Sequence, residues 1–409
     1  MGDNLCHLPD IRRGPKVVKA LSGQITGYQL VQFNIKSLWL ETEGEGILIA
    51  SLDTGCDLSH QDLVGATVIG HNFHDDNKDV TDRDAHGSHT IGIMVAQDND
   101  IGVVGIAPKA KVLVIKVLGD EGWGYSNSVA KGILFAIEQK ADIISMSLGS
   151  PESDPFIYAA IKKAYAANIP VICAAGNSGD VGYLDYPARY DETISVGALD
   201  KNNIRADFSQ TGERLDFMAP GVDIISTVPT NQYQIMSGSS MSTPLVAGIV
   251  ALMLAKHKKV GGHTPINTVE DVRDHLKKAC IDLDQAGKDN KTGFGIIDVR
   301  KAIKQIMGPV PNAPVILSTV LKGNNWDMAF QLPAADFYDT VLTGLKGLTV
   351  AMLMNVNEPF NGMTMEEILE IPGVHAVTAS LTDDQAGKIV HIEIPILPGK
   401  QYIAAACSD

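Results

Sequence analysis

Between Ile47 and Ile306 the chain alternates two kinds of segment. Short apolar runs rich in β-branched residues (GILIASL, KVLVIKVL, ADIISMSL, IPVICAA and ETISVGAL) are separated by helix-like stretches such as SNSVAKGILFAIEQK and DPFIYAAIKKAYAAN. Continuous apolar strands are buried on both faces, and strands that alternate with helices build a parallel sheet. The pattern predicts an α/β fold: a mostly parallel, doubly wound sheet with helices on both faces. The longest apolar run, Pro244 to Ala255, spans 12 residues. It reads as a buried helix, well short of the ~18 residues that cross a bilayer.

The flanks differ. Residues 1–24 are polar and broken by Pro9, Gly14 and Pro15, and read as an extension outside the core. Residues 25–307 hold the α/β domain. GPVPNAP, residues 308–314, has three prolines in seven and reads as a linker. In residues 315–409, ILSTV, GLTVAMLM, HAVTASL, KIVHIEIPI and QYIAAA read as strands, with one helix near Thr364 to Glu370. That predicts a small β-rich C-terminal domain.

Composition narrows the function. The 409 residues are 45% hydrophobic and 20% charged, an ordinary folded chain, and the net charge of −15 argues against binding nucleic acid or anionic membranes. The start, MGDNLCHLPDIRRGPK, has no apolar core and is not a secretory signal. The five cysteines (Cys6, Cys56, Cys173, Cys280 and Cys407) are odd in number and have no metal or redox spacing. Free thiols in a reducing cytoplasm account for them; a secreted chain that has lost its signal is the alternative.

Four segments carry candidate chemistry. In ILIASLDTGCD an apolar strand runs into Asp53, at the strand end where α/β sheets place working groups. There is no second D-T-G for an aspartic-protease pair, and an Asp that caps a turn is the bland alternative. In DAHGSHTIGIMVA, His86 stands at a helix start as a candidate general base. His86 and His89 at i, i+3 also allow zinc, but without H-E-x-x-H or a clear third ligand; a structural histidine suits His89 best. In IMSGSSMSTPLVAG, Ser240 begins a helix that carries Pro244 in its first turn, where amides favour developing negative charge. It is no G-x-S-x-G elbow, and a simple N-cap is its alternative. In VICAAGNSG a strand ends at Gly176-Asn177, an amide able to donate to an oxyanion or an ordinary turn residue.

Taken together, the order Asp…His…Ser at strand ends and helix starts matches the subtilisin arrangement of a triad. The chain resembles the subtilisin-like serine proteases over about residues 30–306, through LDTGCD, HGSH, ISMSLG, AAGNSG, FMAPG and SGSSMSTP. LDTGCDLSH, EQKADIISMSLG and VICAAGN look most like the intracellular bacterial branch. The resemblance implies a serine endopeptidase with Asp53, His86 and Ser240 as triad and Asn177 as oxyanion donor. It implies that a substrate strand is held between Gly122-Trp123-Gly124 and Ser147-Leu148-Gly149. It implies a structural Ca²⁺ site from the side chains of Asp62 and Asn99 and the carbonyls of Gln97, Ile101 and Val103, all hard oxygen donors. Asp216 marks a second, weaker cation site, made doubtful by Arg214 in place of a carboxylate. Ser239, Ser242 and Leu245 depart from the family pattern, small for small or apolar, without loss of activity expected. Cys56 is expected to pack beneath the triad.

Three further expectations follow from the resemblance. Asp185, just before Tyr186-Pro187, falls at the base of the pocket for the residue preceding the cleaved bond (P1) and would favour a basic one. Asp120 and Glu121 would add negative potential along the cleft. In the intracellular branch a short extension lies across the active site with a proline that spoils cleavage, and Leu8-Pro9 stand in that place. The substrates implied are polypeptides. The acidic C-terminal domain is open to self-association, to docking of a partner or to recruitment of substrate. The rival readings are a binding protein on an inactive scaffold and a ligase using the same acyl-enzyme.

Overall fold

The computed structural model describes residues 4–17, 23–261 and 264–306, and beyond them four strands within 315–395. The chain divides into two compact units, Met1–Gly308 and Pro309–Asp409.

The first unit opens with two short strands, β1 (Leu5–His7) and β2 (Arg12–Val17), then two short helices, α1 (Tyr28–Gln32) and α2 (Ile35–Leu38). The main layer follows: β3 (Leu48–Asp53), β4 (Thr67–Asn72), α3 (His86–Val95), β5 (Lys111–Lys116), β6 (Trp123–Tyr125), α4 (Ser126–Glu138), β7 (Ile143–Met146), α5 (Pro155–Ala166), β8 (Val171–Ala174) and β9 (Ile194–Leu199). β10 (Phe217–Pro220), β11 (Ile224–Val228) and β12 (Gln232–Ser237) lead into the long helix α6 (Ser239–Val260). α7 (Val269–Ala279), β13 (Cys280–Ile281), β14 (Ile296–Ile297) and α8 (Val299–Lys304) complete the unit.

Nine strands form one sheet in the order β13-β14-β10-β9-β8-β7-β3-β5-β4. All neighbours are parallel except β13 with β14. The five apolar runs of the sequence are β3, β5, β7, β8 and β9, the middle of this sheet, buried on both faces as their composition requires. The strand order reverses around β3, flanked by β5 and β7. A crevice therefore opens at the carboxyl ends of β3 and β7, the place where such sheets bind ligands.

α6 extends the expected 12-residue core run to 22 residues. It is the one described helix long and apolar enough to cross a membrane, and 89% of its apolar window is buried inside the protein. Pro244 lies inside the helix, not in its first turn. A proline cannot donate to the carbonyl four residues back, that of Ser240. The Ser147 hydroxyl takes that acceptor instead, at 3.0 Å.

Residues 4–17 also differ from expectation. They do not stand apart from the core: Cys6 is 2% exposed within it, and Leu8 and Ile11 pack against it. β1 pairs with β6 and β2 joins the β11-β12 hairpin as a third strand. These residues lack a strand pattern of their own and take their conformation from edges the unit already offers.

In the second unit β15 (Val315–Lys322), β16 (Asn325–Leu332), β17 (Thr378–Asp384) and β18 (Gly387–Pro395) form an antiparallel sheet in the order β15-β16-β18-β17. ILSTV and parts of KIVHIEIPI and HAVTASL fall on these strands. GLTVAMLM, QYIAAA, the helix at Thr364 to Glu370 and the linker lie outside the described residues.

Candidate active site

Asp53 ends β3 and is 2% exposed. Its Oδ1 accepts from His86 Nδ1 at 2.7 Å and from the Thr54 N–H at 2.7 Å, and its Oδ2 accepts from Thr90 Oγ1 at 3.2 Å. Three donors fix the carboxylate, and the carboxylate fixes the ring. His86 is the first residue of α3, and its Nε2 is buried with no hydrogen-bond partner.

A buried carboxylate absent from the sequence reading organises this corner. Asp82 is 2% exposed; its Oδ1 accepts from Thr54 Oγ1 and the Ala85 N–H, both at 2.9 Å, and its Oδ2 from the Ser88 N–H at 2.8 Å. Asp82 thus satisfies two of the amides at the start of α3, those of Ala85 and Ser88, and ties them to the loop after Asp53. The fit is close: a Cβ on Gly87 would lie 2.1 Å from the Gly55 carbonyl.

Ser240 is the second residue of α6 and is fully buried. Its Oγ lies 3.5 Å from the Ser147 carbonyl. Asn177 follows β8, and its side chain is held at one end. Its Oδ1 accepts from the Ser239 N–H at 2.9 Å and the Ser239 hydroxyl at 2.8 Å, so its Nδ2 must face the cleft. There it donates to the Asp10 carbonyl at 2.9 Å.

That contact belongs to a strand already lying in the cleft. β1 pairs antiparallel with β6, with Cys6 opposite Gly124. On its other side His7 exchanges two backbone hydrogen bonds with Gly149, both 2.9 Å, while on the β6 side the Leu8 N–H donates to the Gly122 carbonyl at 2.9 Å. The two glycine-bearing edges singled out in the sequence thus hold one strand between them. Gly122 has φ +75°, and a Cβ there would lie 2.9 Å from Leu8 Cδ1. Leu148 is buried behind this edge.

Asp185 lies between the edge that ends at Gly149 and the Gly176-Asn177 loop. Its side chain would meet Cβ atoms built on Gly149 and Gly176 at 3.0 and 2.8 Å, and its Oδ1 accepts from Gln210 Nε2 at 3.1 Å. Burial pushes its carboxyl pKa up, partly opposed by the Gln210 amide. Gln210 had no signal in the sequence. Asp120 does not add the free negative potential expected of it: Lys116 Nζ sits 3.0 Å from Oδ1 and Arg83 Nη1 3.6 Å from Oδ2.

Asp62 is fully buried. Its Oδ2 accepts from the Val103 N–H at 2.8 Å and its Oδ1 lies 3.5 Å from Asn99 Nδ2. Burial pushes its pKa up, and among the described residues no Lys or Arg pairs with it. The loop carrying the carbonyls of Gln97, Ile101 and Val103 wraps this carboxylate, turned by Gly102 at φ +58°. Gln24 Nε2 donates to the Gln97 carbonyl at 2.8 Å, bringing a further side-chain amide that the sequence reading had not included. Among the described residues no three His, Cys, Asp or Glu cluster. The groups here are instead one hydrogen-bonded carboxylate, side-chain amides and carbonyls, whose oxygens are of the kind that suits a hard cation.

At the second candidate site Asp216 is buried and already faced by Lys288 at 3.5 Å and Arg273 at 3.6 Å, while Arg214 pairs with Asp191. Side-chain cations occupy the role a metal would have. His89 Nε2 lies 2.9 Å from the Gln234 carbonyl and 3.1 Å from that of Ile224, and burial lowers its pKa to about 3. It is a neutral structural donor that ties α3 to β11 and β12. Cys56 is buried, and burial with the charges of Asp82, Asp57 and Asp53 keeps its thiol protonated.

The profile of the subtilase family matches residues 44–295. The chain is 46% identical over 235 residues to an intracellular serine protease of Paenibacillus polymyxa, covering 56% of this chain and 72% of the relative. It is 42% identical over 261 residues to the major intracellular serine protease of Bacillus subtilis (61% and 77% covered), and 40% identical over 263 residues to subtilisin DY of Bacillus licheniformis (64% and 92%).

Proposed function

The chain belongs to the subtilase family and is a subtilisin-type serine endopeptidase acting on polypeptides, and on that premise we propose that Asp53, His86 and Ser240 are its triad and Asn177 its oxyanion donor. The observation that carries this reading is the 2.7 Å bond from His86 Nδ1 to Asp53 inside the fold, with Nε2 left without a partner.

Ser240 Oγ attacks the peptide carbonyl while His86 Nε2 takes its proton. Asp53 holds the tautomer and stabilises the imidazolium. The Asn177 amide and the Ser240 N–H receive the oxyanion, the leaving amine collects the proton from His86, and water hydrolyses the acyl-enzyme. Asp185 gives the P1 pocket a carboxylate, which favours a basic side chain and leaves an apolar one facing a buried charge. The residues around Asp62 hold Ca²⁺, with the Gln24 amide as an added donor; the ion stabilises the fold and takes no part in the chemistry.

Residues 1–24 act as a built-in inhibitor. Their strand enters as β1 and leaves as β2, with Pro9 and Asp10 between. Pro9 has a fixed φ and no N–H, so the strand lacks one backbone donor just before Asp10, the residue whose carbonyl Asn177 holds. Two relatives carry "intracellular" in their names, and the buried thiols of Cys56 and Cys173 suit a reducing compartment, so the protease is assigned to the cytoplasm.

A fluorophosphonate should label Ser240, and Ser240→Ala should abolish both labelling and peptide hydrolysis, with a loss near the ~10⁶-fold measured on subtilisin itself. Hydrolysis that survives Ser240→Ala would refute the triad.

A further inference from the structure

Past Asp10 the extension runs antiparallel to β12, with Arg12 opposite Ser237 and Arg13 opposite Met236. β12 continues through Gly238 into Ser239 and Ser240, so a chain paired with it lies on the leaving-group side of the serine. Here two consecutive arginines meet very different surroundings. Arg12 pairs with Asp207 at 2.8 Å and lies 4.9 Å over the Phe208 ring, but both charged side chains are more than half exposed, at 63% and 76%. Solvent screens such a pair.

Arg13 is held by Asp84 at two points. Its Nη2 donates to Asp84 Oδ1 at 2.5 Å and its Nη1 to the Asp84 carbonyl at 2.6 Å. The Asp84 side chain is only 14% exposed, and among the described residues no other cationic side chain pairs with it. Asp84 is also held in place, because the same Oδ1 accepts the His86 N–H at 3.1 Å. Two acceptors, a carboxylate and a carbonyl on one rigid turn, match the planar fork of a guanidinium. The extension contributes only its side chain to this contact, while its backbone is occupied with β12. Any peptide following the same path presents a side chain to the same place.

We propose that Asp84 forms a subsite for a basic side chain on the leaving side of substrates, at the third residue after the one whose carbonyl meets Asn177. Asp10 is that reference residue in the extension, and Arg13 is the third after it. The proposal deepens the proteolytic reading of the cleft and rests on it. Arginine uses both acceptors, lysine one, and glutamate meets a fixed negative charge.

The test uses the full chain carrying Leu8→Asp and Arg13→Glu, which unseat the extension without removing it. Internally quenched peptides differ only in Arg, Ala or Glu at the third leaving-side position. The Arg peptide should exceed the Glu peptide by about tenfold in kcat/KM, mostly through KM, with Ala between. Adding Asp84→Asn, which keeps an oxygen for the His86 N–H, should bring the three peptides within about twofold. Turnover with no preference, or a preference untouched by Asp84→Asn, overturns the subsite and leaves the protease standing. No turnover of any peptide overturns the proteolytic reading and the subsite with it.

Discussion

Asn177 carries its amide into the cleft because Ser239 takes its other end. The Ser239 hydroxyl and N–H both bind Oδ1, so the amide cannot turn over. Ser239→Ala should therefore lower kcat by about tenfold with little change in KM, a part of the ~10²–10³ lost with an oxyanion donor itself, while Ser239→Thr should restore it. Steady-state kinetics on one peptide decide; an unchanged kcat in Ser239→Ala removes the positioning role. Asp185 gives a pH signature. Burial raises its pKa in the fold, so it stays neutral somewhat above the usual aspartate range. Preference for Arg over Phe at P1 should appear as pH rises through that raised value and vanish below it, and Asp185→Ser should flatten the profile. The same sign applies to stability: native Asp185 binds its proton more tightly than the unfolded chain. Its charge costs stability above the raised value, and that cost disappears below the unfolded value. The residues proposed for the chemistry stood out because each sits at a strand end or helix start inside a distinctive motif. Asp82, Gln210 and Gln24 were not, because a polar residue in a loop declares its partners only once the loops are folded together.

The same division holds for the elements. β3, β5, β7, β8 and β9 were readable because burial on both faces demands unbroken apolar runs. β4 was not, since it is the edge strand and leaves Val68 and Ile69 exposed. β13 and β14 have two residues each, too few for any period. β2 reads RRGPKV and becomes a strand only through its pairing with β12. The loop of residues 97–103 is where the proposed cation would act. Among the described residues no Lys or Arg pairs with the Asp62 carboxylate that it wraps, so a bound cation would favour its folded form. At a thousandfold excess over Kd a ligand stabilises by about 4 kcal/mol. Chelation with EGTA should lower the Tm by several degrees, and Asp62→Asn should abolish the response to added Ca²⁺. A melting curve indifferent to EGTA would remove the cation from this loop.

On the scale of the molecule, the chain supplies its own first occupant for the cleft. With a net charge of −15 it places Arg12 and Arg13 of the extension on Asp207 and Asp84, so part of the hold is electrostatic. The backbone bonds of β1 to Gly122, Gly124 and Gly149, and of β2 to β12, supply the rest. In the proposed inhibitory role tethering adds to both: a segment covalently joined to the unit acts at an effective concentration in the mM range, and a free peptide would have to compete with it. A chain beginning at Ser22 keeps Gln24 and the whole nine-stranded sheet, and should fold, bind cation and cleave short peptides at least ~10-fold faster than the full chain at low substrate. Salt separates the two contributions. Screening shortens the reach of the arginine pairs, to about 3 Å at 1 M, and should raise the activity of the full chain toward that of the shortened one. The shortened chain should respond little. Initial rates across a salt series, taken before any self-processing and checked by intact mass, make the comparison. Equal activity of the two chains at low salt would show that the strand in the cleft does not restrain the enzyme. A gap that salt leaves unchanged would assign the restraint to the backbone pairing and the tether alone.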